Sequence, residues 1–188
     1  MDILLRAARY LRIKYSKAPR LHAHDVATMR MRVWPSDLDE LRHMNNGVYL
    51  STMDLPRYDL IQRSGLWPRL QAAGVYPVVI TQTITYRKSL ELWQRYEVES
   101  RILGYDDRAV YIEQRFVVDG EIYARGIVAG RFLRRRGGTV PIEEVGEIAG
   151  IDVRQHPVPE WVRDWAAAVA LPSTRTPAPS EWGDAVPR

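Results

Sequence analysis

From Ile80 to Leu133 the chain runs through four successive stretches of alternating apolar and polar residues, and no other feature constrains its fold as strongly. In the first, Ile80, Ile84 and Tyr86 alternate with Thr81, Thr83 and Thr85. In the second, Tyr96, Val98 and Ile102 alternate with Arg95, Glu97, Glu99 and Arg101, the pattern of a strand with one wetted face. Val110, Ile112 and Phe116 mark the third, and Ile122 to Leu133 the fourth. Gly104 to Arg108 reads as a turn, and Asp119-Gly120 as a tight hairpin turn. Arg134, Arg135, Arg136, Gly137 and Gly138 end the series. Strands joined in this way predict an antiparallel sheet with one face that must be covered.

The cover comes from upstream. Asp25 to Trp34 reads as a strand through Val26, Met29, Met31 and Val33, and Pro35 stops it. A polar loop from Ser36 to Asn46 follows. Val48, Leu50, Met53, Leu60 and Ile61 then predict a helix closing near Gly65, kinked or broken at Pro56. A second short segment runs from Trp67 to Ala73. The order of strand, loop, one long helix and four strands predicts an α+β fold with the helix on the concave side of the sheet. A chain of 188 residues suits one domain with a real core. The expected divisions are a basic segment over 1–24, the folded domain over 25–145 and an extension over 146–188. That extension should hold a short helix from Glu160 to Ala170, then a Pro-, Ser- and Thr-rich tail expected to be disordered.

The net charge of +4 is unevenly placed. Residues 1–20 hold six of the 27 cations and one of the 23 anions, so the body is close to neutral. That excludes a basic nucleic-acid footprint on the folded surface, and no nucleic-acid partner is expected. Within the first twelve residues Ile3, Leu4, Ala7, Ala8 and Leu11 share one helical face, opposite Arg6, Arg9 and Arg12. Such a segment can dock on the body or touch an anionic membrane weakly, at ~1 kcal/mol per cation near the surface. No apolar run approaches the ~20 residues of a membrane span, and the start lacks the pattern of a secretory signal. The expectation is a cytoplasmic protein, at most peripheral at a membrane. There is no cysteine, which excludes disulfides and thiolate chemistry, and no Gly-x-Ser-x-Gly run that would present a serine nucleophile.

Asp37, Asp39, His43, Asn45, Asn46 and Tyr49 crowd into thirteen residues between a strand and a helix. Singly, each has an ordinary reading. Asn46 can cap the helix, the two aspartates can shape Asx turns, and His43 can be a hydrogen-bonding loop residue. Together they offer a carboxylate, an imidazole and amides at a helix start, where an oxyanion is stabilised. Farther along, Gln82 lies in the apolar register between Ile80 and Ile84 and could reach the site. Asp54 and Arg57 are spaced for a local ion pair. Arg87 and Lys88 end a strand where phosphates could dock, and Arg134 to Arg136 offer the same charge in a solvated turn.

The run Asp37-Leu-Asp39-Glu-Leu-Arg42-His43-Met-Asn45-Asn46-Gly-Val-Tyr49 resembles the signature of the hotdog-fold acyl-CoA thioesterases, in their 4-hydroxybenzoyl-CoA thioesterase-like branch. The likeness continues through Met53-Asp54-Leu55-Pro56-Arg57, Thr85 to Leu90 and Gly126 to Gly130. It implies one helix wrapped by an antiparallel sheet, in a homodimer or higher homo-oligomer. It also implies hydrolysis of an acyl-CoA with Asp39 as general base or nucleophile, His43 and Asn45 positioning substrate or water, and Asn46 and Tyr49 lining the substrate site. Gln82, Arg87 and Lys88 are the further candidates for substrate binding. No metal and no cofactor are implied. Where many relatives place glycine before the histidine, this chain has Arg42, and Pro56 stands where a small residue is usual. Two other functions compete. A dehydratase or hydratase of the same fold needs a histidine placed differently from this His-Met-Asn-Asn block. A non-catalytic acyl-binding or membrane-associated scaffold would keep the fold without turnover.

Overall fold

The computed structural model describes residues 18–180. The amphipathic N-terminal helix expected over the first twelve residues and the last part of the tail, 181–188, lie outside the described residues. Six strands form one antiparallel sheet: β1 (Ala27–Arg32), β2 (Val75–Tyr86), β3 (Arg95–Tyr105), β4 (Val110–Val118), β5 (Glu121–Arg134) and β6 (Thr139–Val140). Their order is β1-β3-β4-β5-β2, with β6 added to β5. The β4–β5 hairpin turns at Asp119 and Gly120, whose φ values of 48° and 80° are those of the turn expected there.

Among the described residues five α-helices accompany the sheet: α1 (Asn46–Thr52), α2 (Asp54–Arg63), α3 (Leu66–Ala72), α4 (Ile142–Ala149) and α5 (Glu160–Ala168). The single long helix expected from the sequence is thus two, parted at Met53. Pro56 has no N–H to donate back to Thr52, so the hydrogen-bond ladder lapses there. It is tolerated because it falls in the first turn of α2, where backbone donors lack intrahelical partners in any case. Gly65, at φ 74°, ends that helix.

The helices α1 and α2 lie across the concave face. Tyr49 and Met53 pack there on Val98, Phe116, Ala124 and Val128. Gly126 permits the approach, since a Cβ at that position would stand 2.5 Å from Met53 Cε and 3.1 Å from the Thr83 carbonyl oxygen. Farther along, Leu60, Leu70, Ile102, Val110 and Phe132 join Ile142, Val145 and Ala149 of α4 in a second cluster. On the convex face Val162 of α5 is fully buried against Tyr111, Ile127 and Ala129.

The sequence reading missed α4. Its apolar residues Ile142, Val145 and Ala149 recur at helical spacing, and Gly150 at φ 70° closes it, signals that were present but short. Arg134 makes two hydrogen bonds to Glu144, at 2.8 and 2.7 Å, and the Arg69 guanidinium donates to the Ala149 carbonyl. The division expected after residue 145 therefore falls inside a helix that belongs to the core. In β2 the register shifts between Val79 and Thr81, which makes Ile80 a bulge residue. The alternation continues across that bulge with its faces exchanged: Pro77 and Val79 before it, and Gln82 and Ile84 after it, pair with residues on one face of β5.

Candidate active site

The loop after β1 closes into a small knuckle by its own hydrogen bonds. Asp39 N–H donates to the His43 carbonyl at 2.9 Å, and Arg42 N–H to the Asp39 carbonyl at 3.0 Å. Inside this ring Asp39 Oδ1 accepts from Leu41 N–H at 2.9 Å and from His43 N–H at 3.2 Å. Arg42 holds φ 63°, the left-handed region that favours glycine. The knuckle thus keeps a glycine-type backbone at a position that carries arginine. Asp39 is half-buried, and its second oxygen, Oδ2, has no partner among the described residues.

Asp37 has a different task. It is buried, its Oδ2 accepts from Trp34 N–H at 2.9 Å, and its carbonyl accepts from Asn45 N–H at 2.8 Å. The turn-shaping role expected of an aspartate here belongs to Asp37, while Asp39 both shapes the knuckle and keeps an oxygen free. The residue capping α1 is Asn45 and not Asn46: Asn45 Oδ1 accepts from Gly47 N–H at 2.8 Å. Asn46 is the first helical residue, and its N–H has no acceptor among the described residues. His43 is exposed beside the knuckle.

Tyr49 does not line an open site. It is 2 % exposed, its hydroxyl accepts from Leu90 N–H at 3.0 Å, and its ring meets Phe116 and Tyr86 edge-on. Burial raises its pKa, against the smaller opposing effect of the Leu90 bond. Helical spacing from Asn45 placed Tyr49 one turn inward, and the core claimed it. Through Tyr49 and two backbone links, Met44 N–H to the Leu90 carbonyl and a bridge from His43 to Glu91, the β2–β3 connection is tied to the knuckle. Tyr86 OH adds a hydrogen bond to the Asn46 carbonyl at 3.2 Å.

The connection also carries Arg87 and Lys88. Both bind Glu121, at 2.6 Å each, and these bonds, from Lys88 first and then Arg87, lower the pKa of Glu121. The two cations share one carboxylate and remain exposed. Gln82 pairs with Val128 and so faces the helix side, as its register suggested, but it stands exposed on β2, which is an edge strand among the described residues.

Sequence reasoning missed two further features. One is a buried polar cluster beneath α2. Arg57 donates to Gln114 Oε1 at 2.9 Å and pairs with Asp54, while Gln114 donates to Ser100 Oγ at 2.8 Å and to the Met53 carbonyl at 3.0 Å. Gln114 and Ser100 are fully buried, so the local ion pair expected of Asp54 and Arg57 is also part of an anchor between helix and sheet. The other is an apolar cavity of ≈ 270 Å³ between α2, α3, α4 and the sheet, with Asp54, Trp67 and Val79 near its rim and Tyr105, Phe132 and Val145 deep inside. It lies toward the Val75 end of β2, whereas the knuckle lies toward the Tyr86 end.

With this geometry in view, comparison with known proteins is decisive for the family. The sequence model described as the thioesterase-like superfamily matches residues 33–166. The chain belongs to that superfamily. It is also 37% identical over 133 residues to "Protein THEM6" of Xenopus laevis, a match covering 71% of this chain and 63% of the frog protein. The chain thus spans less than two thirds of that relative's length. Among solved structures, a probable thioesterase of Escherichia coli, YbaW, superposes with a TM-score of 0.61 at 20% identity, over 65% of this chain and 95% of that one. A gentisyl-coenzyme A thioesterase gives a TM-score of 0.57 at 16% identity, over 64% and 98% of the two chains. At such identities these two likenesses establish the hotdog fold.

Proposed function

We propose that this protein hydrolyses an acyl thioester, with coenzyme A as the thiol carrier and Asp39 as general base or nucleophile. The observation that carries the reading is the state of Asp39. One carboxylate oxygen is fixed by two backbone amides, the other is unpaired, and the unpaired N–H of Asn46 lies a few residues away at the start of α1. A thioester carbonyl is electrophilic enough for a positioned carboxylate to attack it or to activate water against it. In the general-base form Asp39 takes a proton from water as the new C–O bond forms. The C–S bond then breaks, and the thiolate leaves as the protonated thiol. The Asn46 N–H would meet the oxyanion, and Arg87 and Lys88 would exchange Glu121 for the phosphates of coenzyme A.

The acyl group needs an apolar site, and the cavity lies at the other end of β2 from the knuckle of the same chain. The outer edge of β2 is unpaired among the described residues and exposes Val79, Ile80 and Tyr86. Antiparallel pairing of two such edges would bring one protomer's knuckle to its partner's cavity and cover that apolar edge, which favours a homodimer as the active form. A panel of short, medium, long and aromatic acyl-CoAs tests the activity, and light scattering tests the dimer. Release of free thiol from at least one substrate, lost in Asp39→Asn, is expected. A wild-type protein that turns over none of the panel would instead favour the non-catalytic acyl-binding scaffold.

A further inference from the structure

Polar side chains meet the cavity at its rim and at its far side, and the one at the far side has no hydrogen-bond partner among the described residues. At its rim Asp54 and Arg57 satisfy each other and Gln114. At its far side stands Tyr105, the last residue of β3, which is 7 % exposed. Its backbone is held by His156 and Val158, but its hydroxyl has no hydrogen-bond partner among the described residues. The other buried tyrosines are treated differently. Tyr111 donates to Asp106 Oδ2 at 2.6 Å, and Tyr49 accepts from Leu90 N–H. Burial alone pushes the Tyr105 hydroxyl up to about 12, with neither a hydrogen bond nor a charge contributing. The ring of His24 meets Tyr105 edge-on at 5.9 Å, and its buried Nε2 also lacks a partner. His24 Nε2 is fully enclosed without a partner, and the Tyr105 hydroxyl is a donor without one on a residue that lines the cavity, where a ligand oxygen could accept from it.

The sheet supplies a ruler. The rim is exposed at Val79 on β2, and Tyr105 is on β3, three strands away in the order β3-β4-β5-β2. Three inter-strand spacings make ~14 Å. An extended chain advances ~3.5 Å for every three backbone bonds, so that distance corresponds to about twelve bonds. A chain entering at the β2 edge would pass Gly130, which lines the cavity, and end at Tyr105.

We infer that the cavity receives a medium-length acyl chain carrying a hydrogen-bonding oxygen at its far end, a hydroxyacyl group, and that Tyr105 selects it. The acyl part of this statement rests on the function proposed above; the terminal oxygen rests on Tyr105. A site built to hydrogen-bond such an oxygen disfavours the analogue that lacks it, because the site's hydroxyl is then left unpaired.

The test is calorimetric titration of the full chain with decanoic acid and 10-hydroxydecanoic acid, in wild type and Tyr105→Phe, together with kcat/KM on the two CoA thioesters. In wild type the hydroxy acid is expected to bind ~3–10-fold more tightly, the value of one net hydrogen bond. Tyr105→Phe keeps the ring and its packing, and should bring that ratio to one or below without weakening decanoate. A ratio of one in wild type, or a preference that survives in Tyr105→Phe, overturns the inference. If neither thioester is hydrolysed but the binding ratio behaves as described, the thioesterase reading fails while the hydroxyacyl site stands. Hydrolysis without the ratio does the reverse.

Discussion

The knuckle around Asp39 and the cavity around Tyr105 are built by opposite means. Five consecutive residues make the knuckle, and its own backbone hydrogen bonds hold it closed. Its charged groups are half-buried or exposed, where water solvates them. The cavity draws its walls from residues as distant as Asp54 and Val153, and nearly all of them are carbon. Local hydrogen bonds fix atoms to within tenths of an ångström, which a reacting carboxylate requires. Packing between distant elements fixes a volume, which an acyl chain requires. Chemistry and recognition should therefore fail separately when either region is damaged.

The largest expected effect is on chemistry alone. Asp39→Asn keeps the Oδ1 acceptor that closes the knuckle and removes the base, so turnover should fall by ~10²–10⁴-fold. Acid binding in the cavity and the melting temperature should hardly move. Asp37→Asn, which keeps an acceptor for Trp34 N–H, should be milder in turnover. Near-normal activity in folded Asp39→Asn would end the division of labour, and His43 or Asp37 would become the first candidate.

Next in size is an effect on the frame that separates the two regions. Gln114→Ala removes the buried partner of the Ser100 hydroxyl, and one partner each from Arg57, which keeps Asp54, and from the Met53 carbonyl, which keeps Arg57 N–H. The expected loss is about 1–3 kcal/mol of stability for unpaired partners, read from urea unfolding. A loss within experimental scatter would show that Arg57 and Ser100 find other partners when Gln114 is gone.

The deep wall of the cavity gives a smaller and more selective effect. Ala149 lines it on α4, and Ala149→Leu places three more carbon atoms there. KM for medium-length substrates should rise by ~10-fold while short ones are spared, since a few methylenes of lost fit are worth ~1–3 kcal/mol. Equal changes at every chain length would place the acyl group elsewhere.

The smallest effect is a pH dependence confined to the cavity's far side. Burial, then the neighbouring His156, lowers the pKa of His24, while Asp25 acts weakly in the opposite sense. The two imidazoles stack at 3.7 Å. Unfolded, His24 takes its proton near 6.5; folded, it takes it only at lower pH. The stability that comes from neutral His24 is thus complete above 6.5 and lost as pH falls through the folded value. Melting temperature should decline from pH 7 to 5.5, and His24→Gln should flatten that slope. An unchanged slope in the variant would remove His24 as its source.

The same contrast explains what could be read from the residues in order. Alternation and the Asp119-Gly120 turn specify the strands locally, because side-chain period and turn type depend on near neighbours. Pro56 foretold the helix break for the same reason. The knuckle was legible too, since Asp39, Arg42 and His43 act on one another within five positions. Only the tertiary structure decided the rest. Asn45 rather than Asn46 became the cap because the chain path out of the knuckle put its side chain over Gly47 N–H. Tyr49 went to the core because Phe116 and Leu90, far along the chain, came to meet it. Ile80 became a bulge through pairing with β5, which its own alternation did not reveal. Tyr105 fell in a stretch that reads as a turn. It became the polar end of a cavity because the chain crossed from α2 to α4 to close a space beside it, and no local pattern encodes where such a space remains.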